Sequence, residues 1–314
     1  MPDDLEQPYR STRVAIVGGG GGVGASVAFN LLLRGEPYDI ALIDRRPEMA
    51  VSHEMDLQQV VAQGATGSVR VAEPGALPAA EIVVVTAAVP LTVNASRMVY
   101  LEDNARILGE VTGALGHGWP GIVLVVTNPV DPLVTWAVRQ TSLPRERVVG
   151  YTLNDSLRLR TALGQELGVT AQRVDAWMIG EHGDAAVALL ERVRVDGAPV
   201  AIGDDQRRTA LDWVRDWYVR HVALDSGRSS TWTSGRGVSR MVAALAHGDP
   251  EPWPASVVLD GEYGVAGVAL SVPVTLGPGG VRAIHAWPLT GDEAAGLRRA
   301  AGLVAAAAAS LGPA

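Results

Sequence analysis

The chain has 314 residues, 47% of them hydrophobic and 19% charged, which suits two domains that each bury a core. It contains no cysteine, which excludes disulfides, thiolate metal sites and a cysteine nucleophile, and all 26 of its basic residues are arginine. A net charge of -8 opposes general binding to nucleic acid, no apolar run reaches membrane-spanning length and no basic-then-apolar leader opens the sequence. A soluble cytoplasmic protein without nucleic-acid or membrane partners is the expectation.

From Arg13, the pattern RVAIVGGGGGVGASVAFNLLLRG reads as a short β-branched strand, a glycine turn and a helix. The runs YDIALID (38–44), EIVVVTA (81–87) and GIVLVVTNP (121–129) are continuously apolar and separated by helical segments, as buried parallel strands require. Residues 1–150 are therefore expected to form an α/β dinucleotide-binding domain, a doubly wound parallel sheet of the Rossmann kind. After Gly150 the pattern changes. DAWMIG (175–180), ERVRVDGAPV (191–200) with its Asp-Gly turn, and SVVLDGEYG followed by GVALSVPVTLG read as antiparallel strands or hairpins. Helical spacing occupies 153–167, 204–222, 229–247 and 291–310, so 151–314 is expected to be a second, α+β substrate domain.

Within the glycine cluster, Gly19, Gly21 and Gly24 satisfy G-x-G-x-x-G, where the missing side chains let backbone approach a pyrophosphate at a helix N-terminus. Five consecutive glycines also permit a longer turn that starts at Gly18, and both registers stay open. Asp44 ends the second strand about twenty residues further on, where a carboxylate accepts hydrogen bonds from ribose hydroxyls and repels a 2′-phosphate. NAD is thereby favoured over NADP, with Arg45 and Arg46 read as the solvated start of a helix.

Four further stretches bring polar groups to strand ends: SRMVYLEDN (96–104), TNP (127–129), NDSLR (154–158) and GEHGD (180–184). Singly, each has an ordinary structural explanation: a loop histidine, a helix cap, a solvated arginine. Together and in this order, the sequence resembles the lactate/malate dehydrogenase family over nearly its whole length. GEHGD is similar to that family's histidine motif, DSLR to its aspartate-x-x-arginine helix start, TNPVD to its strand-end asparagine, and SVVLDGEYGVAGVALSVPVTLG to its C-terminal strand pair.

The resemblance implies an NAD-dependent 2-hydroxy acid dehydrogenase that acts on a small 2-keto or 2-hydroxy acid, uses no metal, and assembles as a homodimer or homotetramer. By that resemblance His182 is the proton donor, oriented by Asp155, while Arg158 binds the substrate carboxylate and Arg97 polarises the carbonyl. Asn128 would contact the substrate, with Asn104 and Thr127 on the cofactor side. The position of Leu91 faces the variable end of the substrate in that family, with arginine there in malate dehydrogenases and glutamine in lactate dehydrogenases. Leucine offers no partner to a second carboxylate, and a desolvated anion without a partner costs several kcal/mol, so an apolar or bulky 2-keto acid is expected. Opposite it, Ser230, Thr231 and Ser234 are expected to line a roomy pocket. A malate-type reading would need Arg228 or Arg236 to hold the second anionic group. NAD-dependent glycosidases are disfavoured by the lack of cysteine, and a catalytically silent nucleotide-binding protein by the presence of all four catalytic groups.

Overall fold

In the computed structural model, which describes residues 10–89 and 100–312, the first half alternates strands and helices. The strands are β1 (Thr12–Val17), β2 (Tyr38–Ile43), β3 (Ser68–Val71), β4 (Ile82–Val85), β5 (Ile122–Val125) and β6 (Val148–Tyr151). They lie side by side in the order β3-β2-β1-β4-β5-β6, every neighbouring pair parallel. Between them run α1 (Gly22–Leu32), α2 (Pro47–Ala62), α3 (Leu101–Ala114) and α4 (Val130–Gln140). This is the expected doubly wound sheet. Two of its strands, β3 and β6, were not among the sequence-predicted ones.

The parallel sheet does not end at β6. The long antiparallel pair β12 (Asp249–Asp260) and β13 (Ala266–Gly277) is the hairpin expected from SVVLDGEYGVAGVALSVPVTLG, and it joins β6 edge to edge through Ala255↔Tyr151 and Ser256↔Gly150. That junction requires glycine at 150, where a Cβ would come within 2.7 Å of both Ser256 Cβ and Val130 Cγ2. Beyond β13 lie β8 (Met178–Gly180) and β9 (Ala186–Ala188), with β14 (Gly280–Ile284) also paired to β13. Among the described residues, eleven strands thus form one sheet. A separate small sheet contains β7 (Val174–Asp175), β10 (Arg194–Val195) and β11 (Ala198–Pro199), whose Asp196-Gly197 turn has φ of 51° and 78°, the left-handed pair a tight hairpin needs.

The remaining helices are α5 (Leu153–Leu167), α6 (Asp204–Ala223), α7 (Thr231–His247) and α8 (Gly291–Ser310), all within two residues of the sequence-predicted bounds. Alternate strand residues feed the two faces of the sheet. Val14, Ile16 and Val84 pack with Val27 and Leu31 of α1 and Val242 of α7, while Val83, Val85 and Val123 pack with Leu108 of α3 and Val134 of α4. A third core, built on Leu159 and Leu163 of α5, Met178 and Ala210, holds α6 against the C-terminal half. Each such side chain removed from water contributes roughly 1.5–3 kcal/mol, so the site rests on a rigid base. Among the described residues, no helix is long and apolar enough to cross a membrane.

Candidate active site

The chain leaves β1 at Val17 and turns at Gly18, whose φ is +91° and whose added Cβ would lie 2.5 Å from Ala87 N. The longer of the two glycine turns is therefore the one that forms. Gly24 packs under it, with room for no side chain because Gly18 O lies 2.4 Å from the Cβ position. Gly21 precedes the first turn of α1 without a side-chain cap, so the early amides of that helix keep their capacity to bind an anion. Asp44 closes the far wall: Oδ2 accepts from Gly20 N at 2.9 Å and Oδ1 from Arg46 N at 3.0 Å. Between these elements runs a groove of about 750 Å³ lined by Gly18, Gly21, Asp44, Leu77, Thr86 and Ser229, with Glu73 and Arg106 at its sides. Its glycine turn, uncapped helix start and wall carboxylate fit a dinucleotide.

A second constellation forms where the C-terminal ends of the parallel strands meet α5 and the β8–β9 turn. Asp155 and Arg158 sit three residues apart and so share one face of α5. Asp155 uses its two oxygens separately: Oδ1 accepts from Arg158 Nη1 at 3.2 Å, and Oδ2 is bonded to His182 Nδ1. Both carboxylate and imidazole are largely screened from water, with side-chain exposures of 14% and 7%. Arg158 also donates to Ser230 Oγ at 3.4 Å, and its guanidinium lies 4.0 Å over the centre of the Trp217 ring.

The backbone of His182 has its own anchor. Its N–H donates to Asp131 Oδ2 at 2.6 Å, a carboxylate in the first turn of α4 and 1% exposed. Burial pushes the Asp131 carboxyl up to about 6, opposed by the Ser256 hydroxyl and by the His182 N–H. Asp131 Oδ1 and Ser256 Oγ face one another in the interior, without a hydrogen bond of ordinary geometry to either atom among the described residues. No feature of TNPVD distinguishes this aspartate from an ordinary acidic residue at a helix start.

The other expected site residues are placed differently from one another. Thr127 and Asn104 are buried struts: Thr127 Oγ1 donates to Val85 O and Ala87 O, while Asn104 Nδ2 donates to Asn128 O at 2.7 Å and its Oδ1 accepts from Val89 N at 2.9 Å. Asn128 Oδ1 is buried and makes no hydrogen bond among the described residues. At the start of α7, Thr231 lies beside Gly22 at the glycine turn, whereas the Ser234 hydroxyl is turned into the core, accepting from Asn154 Nδ2 at 3.0 Å; Ser230 is the residue of that segment that meets Arg158. Leu91 and Arg97 lie outside the described residues. Arg228 lies 5.3 Å over the Trp232 ring, and Arg236 is exposed on α7.

Residues 12–150 match the family model of the lactate/malate dehydrogenase NAD-binding domain, and 152–306 that of the lactate/malate dehydrogenase alpha/beta C-terminal domain. The chain is 35% identical over 286 residues to a malate dehydrogenase of Halobacterium salinarum, covering 90% of this chain and 93% of that protein. It is 33% identical over 309 residues to an L-lactate dehydrogenase of Thermus aquaticus, covering 96% and 99%. Among solved structures, the minor L-lactate dehydrogenase of Enterococcus mundtii superposes with a TM-score of 0.88 at 27% identity, over 96% of this chain and 99% of that one. With a dinucleotide groove on one side and a histidine, aspartate and arginine bound together on the other, the chain belongs to the lactate/malate dehydrogenase family and is an NAD-dependent 2-hydroxy acid dehydrogenase.

Proposed function

We propose that the enzyme interconverts an apolar or bulky 2-keto acid and its 2-hydroxy acid, with His182 as acid and base and Arg158 as the carboxylate receptor. The observation that carries the roles is the shared Asp155, which ties imidazole and guanidinium to one carboxylate through different oxygens. With Nδ1 held by Asp155, His182 Nε2 would give the proton to the carbonyl oxygen as the hydride arrives, the Asp155 carboxylate fixing the orientation of the ring. In the reverse direction the same nitrogen takes the proton back. Arg158 offers a planar fork to the substrate carboxylate, fixing the reacting carbon beside the imidazole. Arg97 would polarise the carbonyl, and Asn128, with its buried, unbonded Oδ1, would meet the bound molecules. Bound NADH supplies the hydride that reduces the carbonyl carbon. Gly18, Gly19, Gly21 and Gly24 would hold its pyrophosphate, and Asp44 its adenosine ribose. NADH should therefore be a better donor than NADPH in kcat/KM; comparable turnover with NADPH would mean that Arg45 or Arg46 outweighs the carboxylate.

The preference for an apolar side chain rests on Leu91. It is supported by Arg228 lying over the Trp232 ring and by the exposure of Arg236 on α7. A panel of 2-keto acids varying in side-chain size and charge tests it. Leu91→Arg should move the ratio of kcat/KM for oxaloacetate over 4-methyl-2-oxopentanoate upward by about 10²-fold, because the guanidinium supplies the partner of the second carboxylate in a water-poor pocket. If the wild-type enzyme already reduces oxaloacetate far better than every apolar acid, the substrate class is wrong.

A further inference from the structure

We propose that Trp217 is a positioning residue for the substrate carboxylate, holding the plane of the Arg158 guanidinium so that its fork meets the substrate already aligned. The inference rests on the reading that Arg158 binds that carboxylate.

A bidentate pair between arginine and a carboxylate needs the two planes nearly coincident, and a guanidinium on a flexible stem loses rotational freedom to reach that arrangement. Asp155 constrains it at one edge, through Nη1, and Ser230 at another, through the longer bond from Nη2. Edge contacts of this kind permit the group to tilt. A flat aromatic surface 4.0 Å from the guanidinium carbon opposes the tilt, and the ring quadrupole attracts the cation through its face rather than through its N–H groups.

The indole is itself held. His221, one turn further along α6, stacks on it with planes 12° apart and centroids separated by 5.0 Å. His221 Nε2 bonds the carbonyl of Arg228 at 2.9 Å, so the stack is tied to the segment between α6 and α7. That segment also carries Ser230, which closes the circuit back to Arg158. Four contacts thus connect α5, α6 and the start of α7 around one guanidinium. Trp217 is half-buried rather than a core residue, so the fold does not depend on its volume.

The test compares wild type with Trp217→Phe and Trp217→Leu, using pyruvate and 4-methyl-2-oxopentanoate with NADH. Removing a cation–π surface should raise the KM of both acids by the same factor, roughly three- to thirtyfold, with Phe between Trp and Leu and the KM for NADH unmoved. Equal effects on the two acids mark a role at their common carboxylate. An unchanged KM in Trp217→Leu overturns the proposal, as does an effect confined to one acid, which would make Trp217 a wall of the side-chain pocket. In an Arg158→Lys background, Trp217→Leu should add little further, and full additivity would also count against it. If wild type reduces neither of these acids nor any other 2-keto acid, the Arg158 reading itself fails; normal wild-type turnover with unaltered variants removes only the role of Trp217.

Discussion

His182→Asn is expected to lower kcat by roughly 10²- to 10⁴-fold, the range that a positioned general acid contributes. The variant keeps the backbone N–H that donates to Asp131, and Asn fits within the volume of the imidazole, so the loop should stay in place. What disappears is the Nε2 proton. Without it, the carbonyl oxygen would have to collect its proton from water while the hydride arrives. NADH affinity should be unaffected, because the glycine turn and Asp44 lie on other elements. Fluorescence titration with NADH and single-turnover kinetics separate the two outcomes. Near-normal turnover would mean that another group carries the proton, and a lost NADH signal would mean that the loop collapsed.

Asp131 leads to an effect on stability of opposite sense to most carboxylates. Its pKa is raised in the folded protein to about 6 from an ordinary value of 3.8. The folded state therefore binds the extra proton more readily than the unfolded state across the interval between those values. Stability from this group is complete below about pH 4 and falls as pH rises through about 6, a loss on the order of 3 kcal/mol at neutral pH. Asp131→Asn keeps an oxygen that can accept from His182 N–H and takes the buried charge away. The variant should gain on wild type in thermal stability at pH 8 and lose that advantage near pH 4, a difference that calorimetry at the two pH values reads. Parallel stability curves for the two proteins would show that the carboxyl is not held charged against its burial.

The elements best foretold are those whose signal is long or repeated. Helical spacing over 153–167 announces α5 and with it Asp155 and Arg158 on one face; the Asp-Gly pair announces the hairpin at 196–197. By contrast, β3 (SVRV) is interrupted by a charge and β6 (VVGY) by Gly150 directly after the polar turn Arg145–Arg147, so neither shows the unbroken apolar run that marks the equally short β4 and β5. The glycine run could not declare its own register, because five identical residues fit either turn; the neighbours Thr86 and Ala87, distant in sequence, decide it at Gly18. The entry to α7 shows the same limit at finer scale. The sequence offers Ser230, Thr231 and Ser234 alike, and only tertiary packing sends Ser230 to Arg158, Thr231 to Gly22 and Ser234 to Asn154. Asp131 and Trp217 were invisible for a related reason: an acid in a first helical turn and an aromatic on an amphipathic helix are common features, given significance here by β12 and by Arg158.

The ladder between β6 and β12 fixes what kind of motion is open to the enzyme. Ala255↔Tyr151 and Ser256↔Gly150 continue one sheet from the glycine turn to the histidine strand, so strand pairing joins the two halves directly. Rotating one against the other would tear ladder bonds and pull His182 N–H away from a buried carboxylate. The separation between the dinucleotide groove and the proton donor is therefore set by one continuous sheet.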